Sequence, residues 1–528
     1  MTEALSRVRL VLVTIGVMLA LLLAALDQTI VGTAMPRIVS ELQGLDYYSW
    51  VLTAYLVTST TVTPIAGKLG DLFGRKPLLL IGMLGFVGAS ALCGQARDMV
   101  QLVAARGLQG IFGGVLFATV FSSIADIYEP HTRPRIQGLF GGIFGVASVV
   151  GPTIGGYLTD SVGWRWVFYV NLPLGLAATA FVYLIMPRAE ATGSWRNIDF
   201  PGVVSLAGGL IPLLVALSIT RDHAWTSPEV VGLLAIAVVV LVGFYFVERR
   251  AAQPIVPFWL FTDRTFAVSV ITGFLVAVGM FGTIIYVPLI YQGVLGISAT
   301  SSGALITPMM GGIIVGSVAA GQLMSRMRHY RFLGTFGTSA AVVGLLLLSR
   351  VTADSSPIEV VRALVITGLG VGTTFPLYLN SVQAALPRQL TGVVTSQVQF
   401  WRNLGATTGT AVLGSVLSRE LPGKVEESLA QLSLPQSALA SLSQAGSRGG
   451  ADAQSLFDPA RAAQMPAAVQ EAIRVAMGAS LHDIFAIAAG VVALGIVTSL
   501  FLKDVPLRPS AWKQPAQEGE STEPVATF

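Results

Sequence analysis

Residues 67–76 read Gly67-Lys68-Leu69-Gly70-Asp71-Leu72-Phe73-Gly74-Arg75-Lys76. The glycines at 67, 70 and 74 permit a tight turn and a close approach between helices. Asp71 stands near two cations, Arg75 and Lys76, and a carboxylate there can also face a helix N-terminus across an interface. The cluster reads either as a latch at one end of a helical bundle or as a basic turn with incidental charges. The glycine spacing favours the latch, so Gly67, Asp71, Gly74, Arg75 and Lys76 are candidate residues of an inner gate.

The chain on both sides of this stretch is apolar. Of its 528 residues, 53% are hydrophobic and only 11% are charged, against about 25% charged in a soluble domain. So few charges cannot cover a water-facing surface, and the missing solvent is lipid. A bilayer core of about 30 Å needs about 20 mostly apolar residues as a helix. Runs that meet this lie at 10–34, 47–67, 77–95, 99–125, 136–159, 164–186, 200–220, 228–247, 265–291, 301–324, 332–351, 358–383, 393–418 and 478–502. They predict fourteen transmembrane helices. The first is read as uncleaved, because its apolar run is long and Asp27-Gln28-Thr29 is a poor cleavage context.

An even number of spans puts both ends on one side. With the N-terminus inside, the inner segments carry nineteen Lys and Arg and the short outer ones six. That bias predicts cytoplasmic termini in a multi-pass protein of the cell membrane. The linkers at 187–199 and 248–264 set off a hydrophobic pair between two groups of six. The expected plan is a six-helix bundle over 1–186, a linker with two inserted helices over 187–264, and a second six-helix bundle over 265–505. The second bundle contains an external loop, 419–477, with helical stretches near 425–432 and 466–477. The tail 506–528 is rich in Pro, Glu and Ser and reads as disordered. Gly67–Asp71 and Gly321–Ser325 occupy equivalent places in the two groups, a weak internal repeat of the kind that places a transport site between halves.

Composition also excludes functions. Cys93 is the one cysteine, and there are four histidines, so no disulfide, Cys-built metal site or His-rich site is expected. No basic cluster long enough for nucleic acid occurs. No nucleophile–base set is found, so the chain does not read as an enzyme, and no cofactor is expected.

Three further places carry charge or flexibility within spans. Arg106 lies among apolar residues and must face protein or water. It could snorkel outward, but Gln109 at i+3 shares its face and favours an inward, hydrogen-bonded arginine. Gly151-Pro152-Thr153-Ile154-Gly155-Gly156 combines a helix-breaking proline with a smooth glycine face. That pattern reads as a pliable outer gate. Asp27, flanked by Gln28 and Thr29, is the one carboxylate well inside a span. An intramembrane acid is a proton relay or counter-ion by default, and a fixed pair with an arginine such as Arg106 is the competing reading.

Taken in this order, the three motifs resemble the major facilitator superfamily. The loop at 67–76 fits its G-x-L-x-D-x-x-G-R-K pattern. Arg106 to Gly114 fits R-x-x-Q-G-x-x-G-G, and Gly151 to Gly156 fits the G-P-x-x-G-G antiporter signature. Leu26 to Val31 with Met35-Pro36, and Gly163 to Arg165 with Asn171 to Pro173, are similar to the fourteen-helix drug:proton antiporter branch. The resemblance covers nearly all of 10–505. It implies a major-facilitator-type fold, alternating access, and proton-coupled export of lipophilic or amphipathic molecules. It implies that Asp27 and Arg106 take part in proton coupling, that Asp126 joins Asp71 and Arg75 at the inner gate, and that Gly151 and Pro152 shape the outer one. Leu72 stands where many members carry a basic residue. An exporter of lipids or lipid precursors on the same scaffold is the alternative.

The cavity is expected between the halves. Gln28, Tyr55, Gln109, Phe375, Tyr378, Asn380, Gln397, Trp401 and Arg402 are its candidate lining. Aromatics there could stack on a substrate, and Arg402 could attract an anionic or lipid head group. Apart from Glu359 at the very start of the span 358–383, no acid is found in the spans 265–291, 301–324, 358–383 or 393–418. The expected partners are protons, a lipophilic substrate and membrane lipid around a monomer, with no nucleic acid.

Overall fold

The structure, a computed structural model, describes residues 7–44, 47–187, 193–194, 197–220, 223–295, 306–327, 329–352, 355–431 and 467–505. Its long helices are α1 (Arg7–Leu42), α2 (Tyr48–Phe73), α3 (Arg75–Gln95), α4 (Met99–Ile127), α5 (Arg133–Ser161), α6 (Trp166–Ile185), α7 (Phe200–Ile219), α8 (Pro228–Glu248), α9 (Arg264–Leu289), α10 (Thr307–Arg326), α11 (Phe332–Ser349), α12 (Pro357–Ala385), α13 (Thr391–Gln431) and α14 (Ala467–Leu500). No strand occurs among the described residues.

Twelve of these helices are long and apolar enough to cross a membrane. The expected count of fourteen included α2 and α13, which fall below that measure because they are more polar. In α2 the polarity is a run of hydroxyls. Ser59, Thr60, Thr61 and Thr63 are all buried, and Thr61 and Thr63 donate to the carbonyls of Val57 and Ser59. A hydroxyl satisfied by its own helix can enter an interior at low cost. These side chains therefore face protein rather than lipid.

Local chemistry sets several helix ends. Asp98, Asp199 and Asp263 accept from backbone N–H groups in the first turns of α4, α7 and α9, as N-caps do. Gly74 joins α2 to α3 with φ 85°, a conformation that penalises a side chain. The third glycine of the opening stretch is thus a backbone requirement. α6 is interrupted at Val170, between Trp166–Tyr169 and Asn171–Ile185.

Helices α1 to α6 pack among themselves, as do α9 to α14, while α7 pairs with α8 and rests on α2 and α13. Glycines allow backbone-to-backbone approach: a Cβ on Gly114 would strike the Ser59 carbonyl, and one on Gly405 the Phe274 carbonyl. Small residues at helix contacts serve this end in lipid, where apolar burial drives little association. α8 turns Val231, Ile236, Val238 and Val239 outward.

One face of the bundle carries both ends of the described chain. Arg9 Nε donates to the Ile185 carbonyl at 3.2 Å, and Tyr330 Oη donates to the Val505 carbonyl at 2.7 Å. We call this the terminal face and the opposite one the far face. In the expected loop 419–477, the helical stretches read near 425–432 and 466–477 occur as extensions of the neighbouring spans. α13 runs on to Gln431 and α14 begins at Ala467, and Lys424 ties the two extensions together through Asp483. A lysine that pairs across to a second helix and to Glu420 on its own gives both extensions reason to stay helical. The rest of that loop, Arg188, Arg196, Arg221, Arg328 and the tail 506–528 lie outside the described residues.

Candidate functional site

The Asp27 carboxylate lies between α1, α3, α4 and α6. Arg106 Nη1 donates to its Oδ2 at 2.6 Å. Gln109 Nε2 and Asn171 Nδ2 donate to Oδ1 at 2.8 Å and 2.7 Å. The same two amides also reach Ser90 Oγ, at 2.7 Å and 3.0 Å. Arg106 spends its other contacts locally: Nη1 on Gln109 Oε1 at 2.6 Å, Nε on the Val51 carbonyl at 3.3 Å, and its face over the Tyr55 ring at 4.5 Å. Asp27, Gln109 and Asn171 are 0% exposed and Arg106 1%. An ion pair so deep is tolerable only when it gains further hydrogen bonds, and here Gln109 and Asn171 supply them to the carboxylate, with Ser90 behind them. The site is closed to solvent.

The spacing explains the assembly. Arg106 and Gln109 share one face of α4, as i,i+3 neighbours must. Asn171 opens the second segment of α6, where the break at Val170 turns it inward. Asn171 and Ser90 were not among the candidate residues. In the sequence Asn171 stands out only within Asn171 to Pro173, the stretch similar to the antiporter branch, and Ser90 only by polarity within an apolar span. Tyr55 and Gln109, expected to line a cavity, instead wall in the Asp27 carboxylate.

The opening stretch builds a second site at the terminal face. Asp71 accepts from the backbone N–H of Gly392 and Val393, each at 2.8 Å. Those are the first turn of α13, so one carboxylate of α2 caps a helix of the other half and meets its positive end. Arg75 pairs with Asp71 and, through Nε, with Asp126 Oδ2 at 2.8 Å. Lys76 Nζ donates to the carbonyls of Tyr183 and Met186 at 2.7 Å and 2.5 Å, where a cation suits the C-terminal end of α6. Gly67 and Gly392 face each other so closely that a Cβ on either would meet the other's carbonyl. The six candidates Gly67, Asp71, Gly74, Arg75, Lys76 and Asp126 therefore come together.

Beside this clamp is an uncharged one. Asn380 Nδ2 donates to Gln137 Oε1 at 2.7 Å, Gln137 Nε2 to Gln383 Oε1 at 3.1 Å, and Gln383 Nε2 to Thr395 Oγ1 at 2.8 Å. It joins α5 to α12 and α13. Asn380 thus belongs to a contact between halves rather than to an open cavity wall, and Gln137 and Gln383 went unnoticed in the sequence.

The expected outer-gate glycines divide. Gly151 and Gly155 pack on Thr29, Ile30 and Thr33 of α1, within one half, and Gly156 borders open space. In the second half, Tyr378 is buried with Tyr330, Leu333 and Met324, away from the other candidates. Trp401 packs edge-on against Phe261 and Phe400, toward the insert. Gln397 is fully buried, and neither amide atom has a partner among the described residues. Phe375 and Arg402 do meet: the guanidinium carbon lies 3.6 Å from the ring centroid. Gln28, Phe375 and Arg402 keep partial exposure. No cluster of His, Cys, Asp and Glu able to hold a metal occurs among the described residues.

Comparison with known proteins accords with this architecture. The sequence profile of the Major Facilitator Superfamily matches residues 17–410. Over 512 residues the chain is 40% identical to the multidrug transporter protein MdtP of Bacillus subtilis, covering 94% of each chain. Over 491 residues it is 34% identical to multidrug resistance protein 3 of the same organism, covering 93% of this chain and 94% of the relative. The solved structure of the human organic anion transporter MFSD10 superposes with a TM-score of 0.57 at 15% identity, covering 92% of this chain and 99% of the other. The proton:xylose symporter XylE gives 0.56 at 12% identity over 78% and 95%. At such identities the two structures speak for the fold.

Proposed function

The chain belongs to the major facilitator superfamily, and from that premise we propose that this multi-pass membrane transporter exports lipophilic or amphipathic small molecules in exchange for protons. Its relatives are multidrug transporters. The observation that carries the coupling is the Asp27–Arg106 pair, buried at 0% and 1% exposure. The carboxylate accepts from one guanidinium and two amide donors. When it takes a proton, Arg106 loses its counter-charge and the hydrogen bonds from Gln109 and Asn171 weaken, so α1, α4 and α6 must readjust together. Proton uptake thereby acts on helix packing, which is what alternating access requires. The clamp of Asp71 on α13 holds the terminal face shut meanwhile, and that face is the cytoplasmic one in this reading. Gly151, Pro152 and Gly155 let α5 slide on α1 as the far face closes.

Dye efflux from cells tests this. Wild type extrudes ethidium until an uncoupler collapses the gradient, and Asp27→Asn lowers efflux at least ten-fold. Efflux that ignores both the uncoupler and the substitution sinks the proposal. A second reading, export of lipids, is favoured by one feature: an apolar groove of about 360 Å³ lined by Ile15, Met18, Leu22, Leu139, Val146 and Ile314. It lies between α1, α5 and α10 and borders exposed apolar side chains. A fluorescent lysolipid run beside ethidium separates the two cargoes.

A further inference from the structure

Arg402 is a half-buried cation that no counter-ion reaches among the described residues. It sits eleven residues into α13, about 16 Å from the terminal face at 1.5 Å per residue, close to the middle of a bilayer core. Its stem lies over Gly273 of α9, where the missing side chain leaves room. Its head stacks on Phe375 of α12 and gives one hydrogen bond, Nη1 to Gln399 Oε1 at 2.9 Å. Among the described residues no carboxylate reaches it, and Nε and Nη2 have no protein acceptor. In α9, α10 and α11 there is no acid at all, and in α12 the one acid, Glu359, is in the first turn. Of the buried arginines, Arg75 and Arg106 are each paired with aspartate, and Arg133, at the terminal end of α5, donates to the Tyr128 carbonyl.

The two halves therefore differ in charge. The first half neutralises Arg106 internally, and the second leaves the partly exposed Arg402 without a carboxylate among the described residues. A cation in hydrocarbon surroundings needs an anion or water. Stacking covers one face of the guanidinium and leaves its N–H edge free, the edge that grips a two-oxygen anion. An aromatic ring under that edge also suits an apolar body attached to the anion. The orphaned amide of Gln397 is a further polar group on α13 without a partner.

We infer that Arg402, stacked on Phe375, is the recognition point for an anionic head group, so that the exported molecules include amphipathic organic anions. The inference rests on the reading of this chain as an exporter. It gives Arg402 a binding role distinct from the coupling role of Asp27 and Arg106.

The test uses the full chain, wild type, R402Q and R402K, purified and in proteoliposomes under an imposed proton gradient. The probes are 8-anilinonaphthalene-1-sulfonate, a lipophilic anion, and ethidium, a lipophilic cation. R402Q is expected to lose at least ten-fold in anion transport with ethidium transport kept, and R402K to fall between. The anion is also expected to raise the thermal stability of wild type but not of R402Q. Unchanged anion transport in R402Q overturns the inference. So does loss of both probes in R402Q and R402K alike, which marks a structural arginine. If wild type moves neither probe yet the anion stabilises it through Arg402, the export reading fails and the anion site stands. If there is neither transport nor stabilisation, the site falls too.

Discussion

At the scale of single residues, the Asp27–Arg106 pair is a stability element as well as a proton candidate. Removing one partner strands a buried charge, at a cost of about 3–5 kcal/mol. Asp27→Ala and Arg106→Ala should each lower the thermal unfolding temperature of the detergent-solubilised protein by several degrees. The double variant Asp27→Asn with Arg106→Gln leaves no charge behind and should recover most of that loss. It should not recover efflux. If the double variant unfolds as readily as the single ones, the pair is not the source of the cost. Asp27 was legible in the sequence because an acid inside an apolar run is conspicuous. Its partners Asn171 and Ser90 were not, because a neutral polar residue in a span is commonplace and only packing decides which ones converge.

At the scale of helices, the insert α7–α8 carries an arrangement that the sequence did not announce. Glu248 is buried at 3% exposure, and its Oε1 accepts from Val256 N at 2.7 Å. Its Oε2 and Asp199 Oδ2 both lie around Gly202, and neither has a donor. Lys68 of α2 feels the charge of Glu248 as well as that of Asp71. Two acceptor-only oxygens this close are compatible only when one carries a proton. Glu248→Gln supplies an amide N–H to Asp199 and should stabilise the protein by about 1 kcal/mol, visible as a higher unfolding temperature at pH 8 than wild type. Destabilisation there would mean that both carboxyls are otherwise satisfied. Element boundaries show a similar limit. The sequence marked 425–432 and 466–477 as helical stretches, yet that they continue α13 and α14 is decided in the fold, where Lys424 pairs with Asp483.

At the scale of the whole molecule, α5 packs along α10 from Pro134 on Gly321 to Gly145 on Ile314, and the polar contacts between halves lie toward the terminal face. Asp71 on Gly392, Gln137 on Asn380 and Gln383, and Gly321 against Pro134 all lie there. Such a structure is closed at that face. A rocking motion has to break these contacts together, so locking them should stop transport. Gln137→Cys with Asn380→Cys puts two thiols where the amides now touch. Oxidation should cut efflux at least ten-fold and a reductant should restore it. The native Cys93 is buried and gives little background. Undiminished efflux from the cross-linked protein would rule out separation of α5 from α12.

The sequence by itself determined that this chain lives in lipid, that its helices come as two groups around an inserted pair, and that Asp27, Arg106 and the glycine-rich loop at 67–76 are unusual. These readings follow from properties one residue carries alone: apolarity over a span's length, the cost of a charge in hydrocarbon, the backbone freedom of glycine. Tertiary structure alone decided that Asp71 caps α13, that Asn171 and Ser90 complete the Asp27 site, that Tyr378 and Trp401 turn away from the centre, and that Arg402 has Phe375 but no carboxylate. Each of these depends on which face of one helix meets which face of another. Helical periodicity fixes the faces within a helix, whereas the choice of neighbour is settled only when all the helices pack.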